Sequence, residues 1–67
     1  MNDTINIELI ENYLNAFKIT KSEFCKRAKI SYSVLTKIYN NQINFRINAL
    51  FKICRTIGIN LYQIFKD

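Results

Sequence analysis

The side chains that most often carry out catalysis or bind metal ions are scarce in this chain of 67 residues. Histidine is absent, which removes the commonest general base and the commonest metal ligand. Two cysteines remain, Cys25 and Cys54, and two thiols so far apart in the sequence form neither a zinc site nor a redox motif. Since the sequence also lacks a glycine-rich phosphate loop and a paired-carboxylate motif, we expect no enzymatic activity, no metal, no cofactor and no small-molecule ligand.

The basic residues are more informative than the thiols. Ten Lys and Arg against five Asp and Glu give a net charge of +5. No acidic residue occurs between Phe24 and Lys66, a segment that contains Lys26, Arg27, Lys29, Lys37, Arg46, Lys52, Arg55 and Lys66. A cationic surface of this kind favours nucleic acid as the partner. Two alternatives are a basic membrane-binding helix and a lysine content that reflects only codon usage.

Helical spacing of apolar residues positions these charges. The spacing predicts an all-α, compact bundle of five short helices, at about 4–18, 21–28, 32–40, 46–57 and 61–66. In the first helix Asp3 or Thr4 is the expected N-cap, and the apolar face consists of Ile7, Ile10, Leu14 and Phe17. No hydrophobic run is long enough to cross a membrane, and the N-terminus lacks the basic and apolar regions of a signal peptide, so we expect neither feature.

The remaining helix boundaries follow from capping residues. Thr20 and Glu23 fit a reciprocal capping box, and Ser31 is the expected N-cap of the third helix. Asn40 and Asn41 are expected to end that helix in the left-handed conformation, before a loop at 41–45. Gly58 ends the fourth helix and Asn60 begins the fifth. The inward residues of the fourth helix are predicted to be Ile47, Leu50, Phe51, Cys54 and Ile57. The apolar residues of the fifth helix are Leu61, Ile64 and Phe65.

The expected core has a defined composition. Its large members are predicted to be Phe24, Leu35, Ile38, Leu50 and Phe51. Both cysteines lie on apolar helix faces, so we expect buried, reduced thiols in a cytoplasmic protein.

Two short helices joined by a tight turn, from Lys21 to Asn40, carry the clearest motif. Its apolar positions are Phe24, Cys25, Ala28, Ile30, Leu35 and Ile38. This pattern resembles the helix-turn-helix of the Cro and phage-repressor-like (Xre-type) DNA-binding family, and the resemblance extends from Lys18 to Phe65. Three positions depart from the family pattern: Lys29 and Asn41 where Gly is usual, and Tyr39 where an acidic residue is common. Lys29 costs roughly 1 kcal/mol if the backbone keeps a positive φ there.

The resemblance implies a function for the outward face of the third helix. The implied protein is a single DNA-binding domain over 1–67, a sequence-specific transcriptional regulator and repressor whose third helix enters the major groove of double-stranded DNA. The candidate base-reading residues are Tyr32, Ser33, Thr36 and Lys37, and the candidate phosphate-binding residues are Lys21, Asn40, Lys26 and Arg46. We expect the protein in the cytoplasm, associated with the nucleoid when it is bound to DNA.

Alternatives remain open at this point. Family members usually bind as dimers, and a homodimer would use Ile59–Phe65, unless Leu61, Tyr62 and Phe65 only close the core. The alternative function is a protein-interaction module, such as an antitoxin or an anti-repressor built on the same fold. The polar and basic outward face of the third helix favours DNA over such a partner.

Overall fold

Four α-helices and a closing 3₁₀ helix make up residues 5–40 and 46–65, which are the residues that this computed structural model describes. The α-helices are α1 (Ile7–Phe17), α2 (Lys21–Ala28), α3 (Tyr32–Tyr39) and α4 (Ile47–Ile57), and the 3₁₀ helix is Leu61–Ile64. The all-α prediction is confirmed, although the expected fifth α-helix is a 3₁₀ helix. The predicted loop at 41–45 lies outside the described residues.

The first helix begins later than its apolar spacing predicts. Its N-cap is Asn6, whose side chain makes no capping hydrogen bond, and the expected caps Asp3 and Thr4 lie outside the described residues. Ile5 instead forms an antiparallel bridge with Phe65, and the Asn6 N–H donates to the Ile64 carbonyl at 2.7 Å. Pairing with Ile64 and Phe65 therefore holds Ile5 and Asn6 outside the helix.

Side-chain hydrogen bonds begin the two central helices where the sequence predicts. The Glu23 N–H donates to the Thr20 hydroxyl at 3.1 Å, and the Val34 N–H donates to the Ser31 hydroxyl at 3.2 Å. The second bond of the predicted capping box is not formed, and the Glu23 carboxylate lies instead 3.8 Å from the Arg27 guanidinium one turn later. Thr20 therefore supplies the side-chain cap of α2 without the reciprocal bond.

Three helices end in the same way. Lys18, Lys29 and Gly58 adopt the left-handed conformation, with φ of 53°, 61° and 92°. The residue after each is an isoleucine, whose N–H donates back to a carbonyl five residues earlier: Ile19 to Leu14, Ile30 to Cys25 and Ile59 to Cys54. These bonds are those of the Schellman-type helix end. Each reversal returns its isoleucine to the edge of the core.

The third helix ends differently from the prediction. Asn40 has φ −93° and ψ 8°, which is not left-handed, and its N–H bonds to the carbonyls of Thr36 and Lys37. The helical hydrogen bonding therefore continues into Asn40. Asn41, the other residue expected to end this helix, lies outside the described residues.

The core differs in part from the one that the apolar pattern predicts. Phe24, Leu35, Ile38 and Leu50 are buried as expected. The other large buried side chains among the described residues are Ile5, Ile10, Leu14, Ile53 and Ile64. Three residues predicted to face inward are instead about half exposed: Phe17 (56%), Ile47 (53%) and Phe51 (50%). The Phe17 ring lies on the surface against the Tyr13 ring, with 4.6 Å between the two centroids. The Arg27 guanidinium lies 5.6 Å from the centroid of the Phe17 ring.

The rotation of α4 explains two of these three errors. Ala49 and Ile53 are buried on one edge of its apolar stripe, whereas Ile47 and Phe51 lie on the opposite edge. Helix α4 packs against α1, α2 and the 3₁₀ helix, and these contacts determine which edge is covered. The sequence alone does not choose between the two edges.

Both cysteines are buried and unpaired, as the sequence predicts. The Cys25 thiol donates weakly to the Ser31 carbonyl at 3.9 Å, across the turn between α2 and α3. Burial raises the pKa of both thiols, so they remain protonated at neutral pH. They act as small apolar side chains that allow neighbouring helices to approach closely.

The left-handed conformation of Lys29 leads to a prediction about stability. Lys29→Gly is expected to raise the free energy of unfolding by about 0.5–1 kcal/mol. The relief of the left-handed penalty exceeds the entropy that glycine adds to the unfolded chain. Urea unfolding monitored by circular dichroism measures the change. Lys26→Gly, which also replaces an exposed lysine of this segment but within the helix, should lower stability by about 1 kcal/mol. Equal effects of the two substitutions would contradict this account.

Candidate nucleic-acid interface

The outward face of α3 carries the residues that the sequence singles out. Leu35 and Ile38 are fully buried and fix the rotation of the helix. Tyr32, Ser33 and Thr36 are therefore exposed, and Asn40 is exposed just beyond the helix. Lys37 is half-buried. All four candidate base-reading residues thus lie on one helix, although Lys37 lies closer to the protein than the other three.

Local hydrogen bonds occupy part of the capacity of two candidate base-reading residues. The Thr36 hydroxyl donates to the Tyr32 carbonyl at 3.1 Å, and the Ser33 hydroxyl lies 3.2 Å from that of Ser31. Because a hydroxyl has one proton, Thr36 in this geometry can offer a partner only its lone pairs and its methyl group. Ser31, whose oxygen accepts from the Val34 N–H, can donate to Ser33 and leave the Ser33 proton free.

A concavity lies on one side of α3, where the start of α2 approaches it. We call it the α2-side concavity, and it is lined by Lys21, Tyr32, Leu35, Thr36, Tyr39 and Asn40. The structure therefore brings the predicted phosphate-binding pair, Lys21 and Asn40, together with Tyr32 and Thr36. The Lys21 ammonium lies 4.1 Å from the centroid of the Tyr39 ring, which is a close cation–π distance.

Tyr39 links this concavity to the first helix. Its hydroxyl donates a hydrogen bond to the Glu11 carboxylate on α1. Burial raises the pKa of Tyr39 far above its ordinary value, and the bond to the neighbouring Glu11 raises it further. In the sequence, Tyr39 stands out only as a departure from the family pattern. Its contact with Glu11 was not predicted, because the two residues are 28 positions apart and helical spacing relates only near neighbours.

A larger cleft, which we call the α4-side cleft, lies on the other side of α3. Its lining includes Lys37 and Arg46, together with two further lysines, Lys29 and Lys52. Ile30, Ser31, Val34, Asn48 and Ala49 complete the described lining, so none of these lining residues is acidic. The Lys52 ammonium donates to the Lys29 carbonyl at 3.4 Å. Four cationic side chains therefore surround one cleft beside the turn of the motif.

The two concavities separate the predicted site residues into two groups. Lys37 was expected to act beside Tyr32 and Thr36, but it lines the α4-side cleft with Arg46. Lys26 is exposed on α2 and lines neither concavity. Lys29 and Lys52 were not predicted as site residues. For Lys52 the signal was present in the helical spacing, since Lys52 lies four residues, about one turn, beyond Asn48 on α4.

The described residues contain neither a metal-binding cluster nor a membrane-spanning helix. Within 5–40 and 46–65, no group of three or more His, Cys, Asp or Glu side chains is arranged to hold a metal ion. In the same part of the chain, no helix is both long enough and apolar enough to span a bilayer.

Comparison with known proteins identifies one family. The family model described as the Cro/C1-type HTH DNA-binding domain matches residues 10–67, which is most of the chain. No curated protein and no solved structure gives a significant match. The matched residues include α2, α3 and all the residues that line the two concavities.

The bond between Tyr39 and Glu11 leads to a prediction about pH. The raised pKa of Tyr39 means that its stabilising contribution is present below the unfolded value of about 10. Above that pH the unfolded chain releases the proton first, so the contribution is lost as the pH rises. Tyr39→Phe should lower the free energy of unfolding by about 1–2 kcal/mol at pH 7. In denaturant titrations from pH 7 to 11, this difference should shrink only above about pH 10. A difference that is constant over the whole range would contradict the assignment.

Proposed function

Because the chain belongs to the Cro/C1-type HTH DNA-binding family, we propose that it is a sequence-specific transcriptional regulator that places α3 in the major groove of duplex DNA. In this proposal residues 1–67 act as one DNA-binding domain. The observation that carries it is the arrangement around α3, where an exposed polar face lies between two concavities, one lined by four cationic side chains and the other by a single one, Lys21. A major groove has a phosphate backbone on each side, so such a helix can meet bases while its flanks meet phosphates.

Base reading is assigned to four residues of α3. Lys37 can donate to guanine O6 and N7, and Tyr32 can pack against a base or a sugar. Ser33 can donate or accept, whereas Thr36 offers an acceptor and a methyl group that fits the thymine methyl. Lys37 and Tyr32 retain the largest free contact capacity in this set, since the other two hydroxyls already have local partners.

Phosphate binding is assigned to the two flanks. Lys21 and Asn40 would contact one backbone from the α2-side concavity, and Arg46 would contact the other backbone from the α4-side cleft. Lys29 and Lys52 join Arg46 in this role, because they line the same cleft. Lys26 is a weaker candidate that would meet phosphate from the exposed surface of α2.

The domain is proposed to act as a repressor. Its proposed location is the cytoplasm, where it associates with the nucleoid when it is bound to DNA. Occupation of a promoter by such a domain excludes polymerase without any further activity. Two copies would place their α3 helices about 34 Å apart on a palindromic site. In the segment proposed for the dimer, Ile59–Phe65, Tyr62 is 75% exposed, whereas Leu61 and Phe65 are partly buried against the core. Tyr62 is therefore the residue of that segment best placed to contact a second copy.

The first test compares two duplexes. Binding to DNA from around the gene of the protein should exceed binding to random duplex of equal length, and the difference should persist from about 50 to 200 mM salt. Fluorescence anisotropy and footprinting measure affinity and site. Equal binding to both duplexes that disappears with salt would overturn sequence-specific recognition. A protein partner would then be sought, and the half-exposed Ile47 and Phe51 on α4 are the apolar residues to test first.

Two substitutions separate base reading from phosphate binding. Lys37→Ala should weaken the preferred site by about 1–3 kcal/mol and relax base choice at one position. Arg46→Ala should weaken all sequences alike and lower the slope of log affinity against log salt by about 0.9. Arg55→Ala is the matched control for Arg46→Ala, because Arg55 is an exposed arginine of α4 that lines neither concavity. Unchanged base preference in Lys37→Ala would refute the groove assignment.

A further inference from the structure

Tyr39 joins three helices at the edge of the proposed DNA-binding face. It is the last residue of α3, its hydroxyl donates to Glu11 on α1, and its ring lies under the ammonium of Lys21 from α2. We propose that Tyr39 is a positioning residue that holds the Lys21 charge beside α3, ready to meet a DNA phosphate. This inference rests on the proposed function and assigns to Tyr39 a role that the base-reading and phosphate-binding residues leave open.

The two ends of the tyrosine have separate tasks. The hydroxyl is anchored by a carboxylate, and this fixes the ring relative to α1. The ring face is then available to Lys21, with 4.1 Å between the ammonium and the ring centroid. Tyr39 is half-buried and Lys21 is exposed, so the cation lies at the surface while its aromatic support is held by the fold.

Positioning matters more for lysine than for most side chains. The four-carbon stem of lysine has many rotamers, and a contact with phosphate must select a few of them. A ring that already restricts the ammonium lowers this cost when DNA binds, which is preorganisation. The position is also suitable, because Lys21 and Tyr39 both line the α2-side concavity with Tyr32, Thr36 and Asn40.

A double-mutant cycle on DNA binding tests the coupling. The four proteins are the wild type, Lys21→Ala, Tyr39→Leu and the double variant, titrated against a fixed duplex of mixed sequence from about 50 to 200 mM salt. Lys21→Ala should lower the salt slope by about 0.9. Tyr39→Leu should weaken binding about two- to fivefold, as expected for loss of a surface cation–π contact. The double variant should bind no more weakly than Lys21→Ala alone.

The opposite result is equally definite. If Tyr39→Leu weakens binding by the same factor with and without Lys21, Tyr39 acts through the position of α3 and the inference is wrong. An unchanged salt slope in Lys21→Ala would also overturn it, because Lys21 would then contact no phosphate. Lys21→Arg is the conservative control, since a guanidinium also stacks on an aromatic ring. With Tyr39 present, Lys21→Arg should bind DNA with wild-type affinity. Combined with Tyr39→Leu, it should bind about two- to fivefold more weakly, as Tyr39→Leu alone does.

A measurement on the free protein tests the contact between Lys21 and Tyr39 even if the Tyr39→Leu variant does not fold. In the free wild type, the ε-methylene protons of Lys21 should be shifted upfield in NMR spectra by the Tyr39 ring. Tyr39→Phe keeps the ring but loses its anchor, so it should reduce this shift, and it replaces Tyr39→Leu in the cycle if the leucine variant unfolds. Loss of the hydroxyl anchor should then weaken binding only in the presence of Lys21. An unshifted Lys21 signal in the wild type would overturn the inference.

The outcomes also separate this inference from the proposed function. If the wild type binds no duplex at any salt concentration in the series, the DNA-binding proposal fails, and the role of Tyr39 in it fails as well. If the wild type binds and the effects of the two substitutions simply multiply, DNA binding stands and only the positioning role is rejected.

Discussion

The fold depends on three chain reversals in which a left-handed residue lets the next isoleucine return to the core. They occur at Lys18, Lys29 and Gly58, and two of them use a residue for which this conformation costs about 1 kcal/mol or more. A domain of 67 residues buries a smaller share of its surface than a larger domain does, so each large apolar side chain matters. Partial burial of one isoleucine contributes about 1 kcal/mol, which is comparable with the cost of the lysine at the turn. The reversals are therefore tolerated because each one adds to the core.

The same short helices determine where the charges lie. Two of the acidic residues are engaged on the α1 and α2 side: Glu23 lies beside Arg27, and Glu11 accepts the hydrogen bond of Tyr39. The α4-side cleft, by contrast, has four cations and no acidic residue in its described lining. Four of the ten basic side chains thus lie together beside the turn of the helix-turn-helix motif. Clustering of this kind attracts a polyanion more strongly at that surface than an even spread of the same charge would.

Capping residues and spacing were sufficient to predict the centre of the chain. Thr20, Ser31 and Gly58 set the expected boundaries, since local hydrogen bonds and backbone conformation act within a few residues. Burial was harder to predict, because the apolar residues of α4 cover more than one face of a helix. The prediction that Phe17 is buried is wrong for a related reason. Phe17 is the last residue of α1, so no later turn of the helix extends the apolar face beyond it. Contacts from other helices decide both cases.

The candidate site shows the same division between local and non-local information. The sequence predicted which residues of α3 point outward, because Leu35 and Ile38 fix the rotation of the helix. It did not predict that Lys37 and Thr36 line different concavities, or that Tyr39 donates a hydrogen bond to Glu11. Both features depend on how other helices approach α3.

This arrangement has a consequence for how the proposed DNA recognition could achieve specificity. The hydroxyl of Thr36 already has a partner within the helix, and that of Ser33 is shared with Ser31. In the proposed complex, direct reading of base edges would therefore rely mainly on Tyr32 and Lys37. Two side chains would supply little discrimination at roughly 1–3 kcal/mol for each good contact. Cationic groups on both flanks of α3 would, however, hold the two backbones at a fixed separation. Recognition through the shape and deformability of the groove is therefore the complementary source of specificity that this geometry favours.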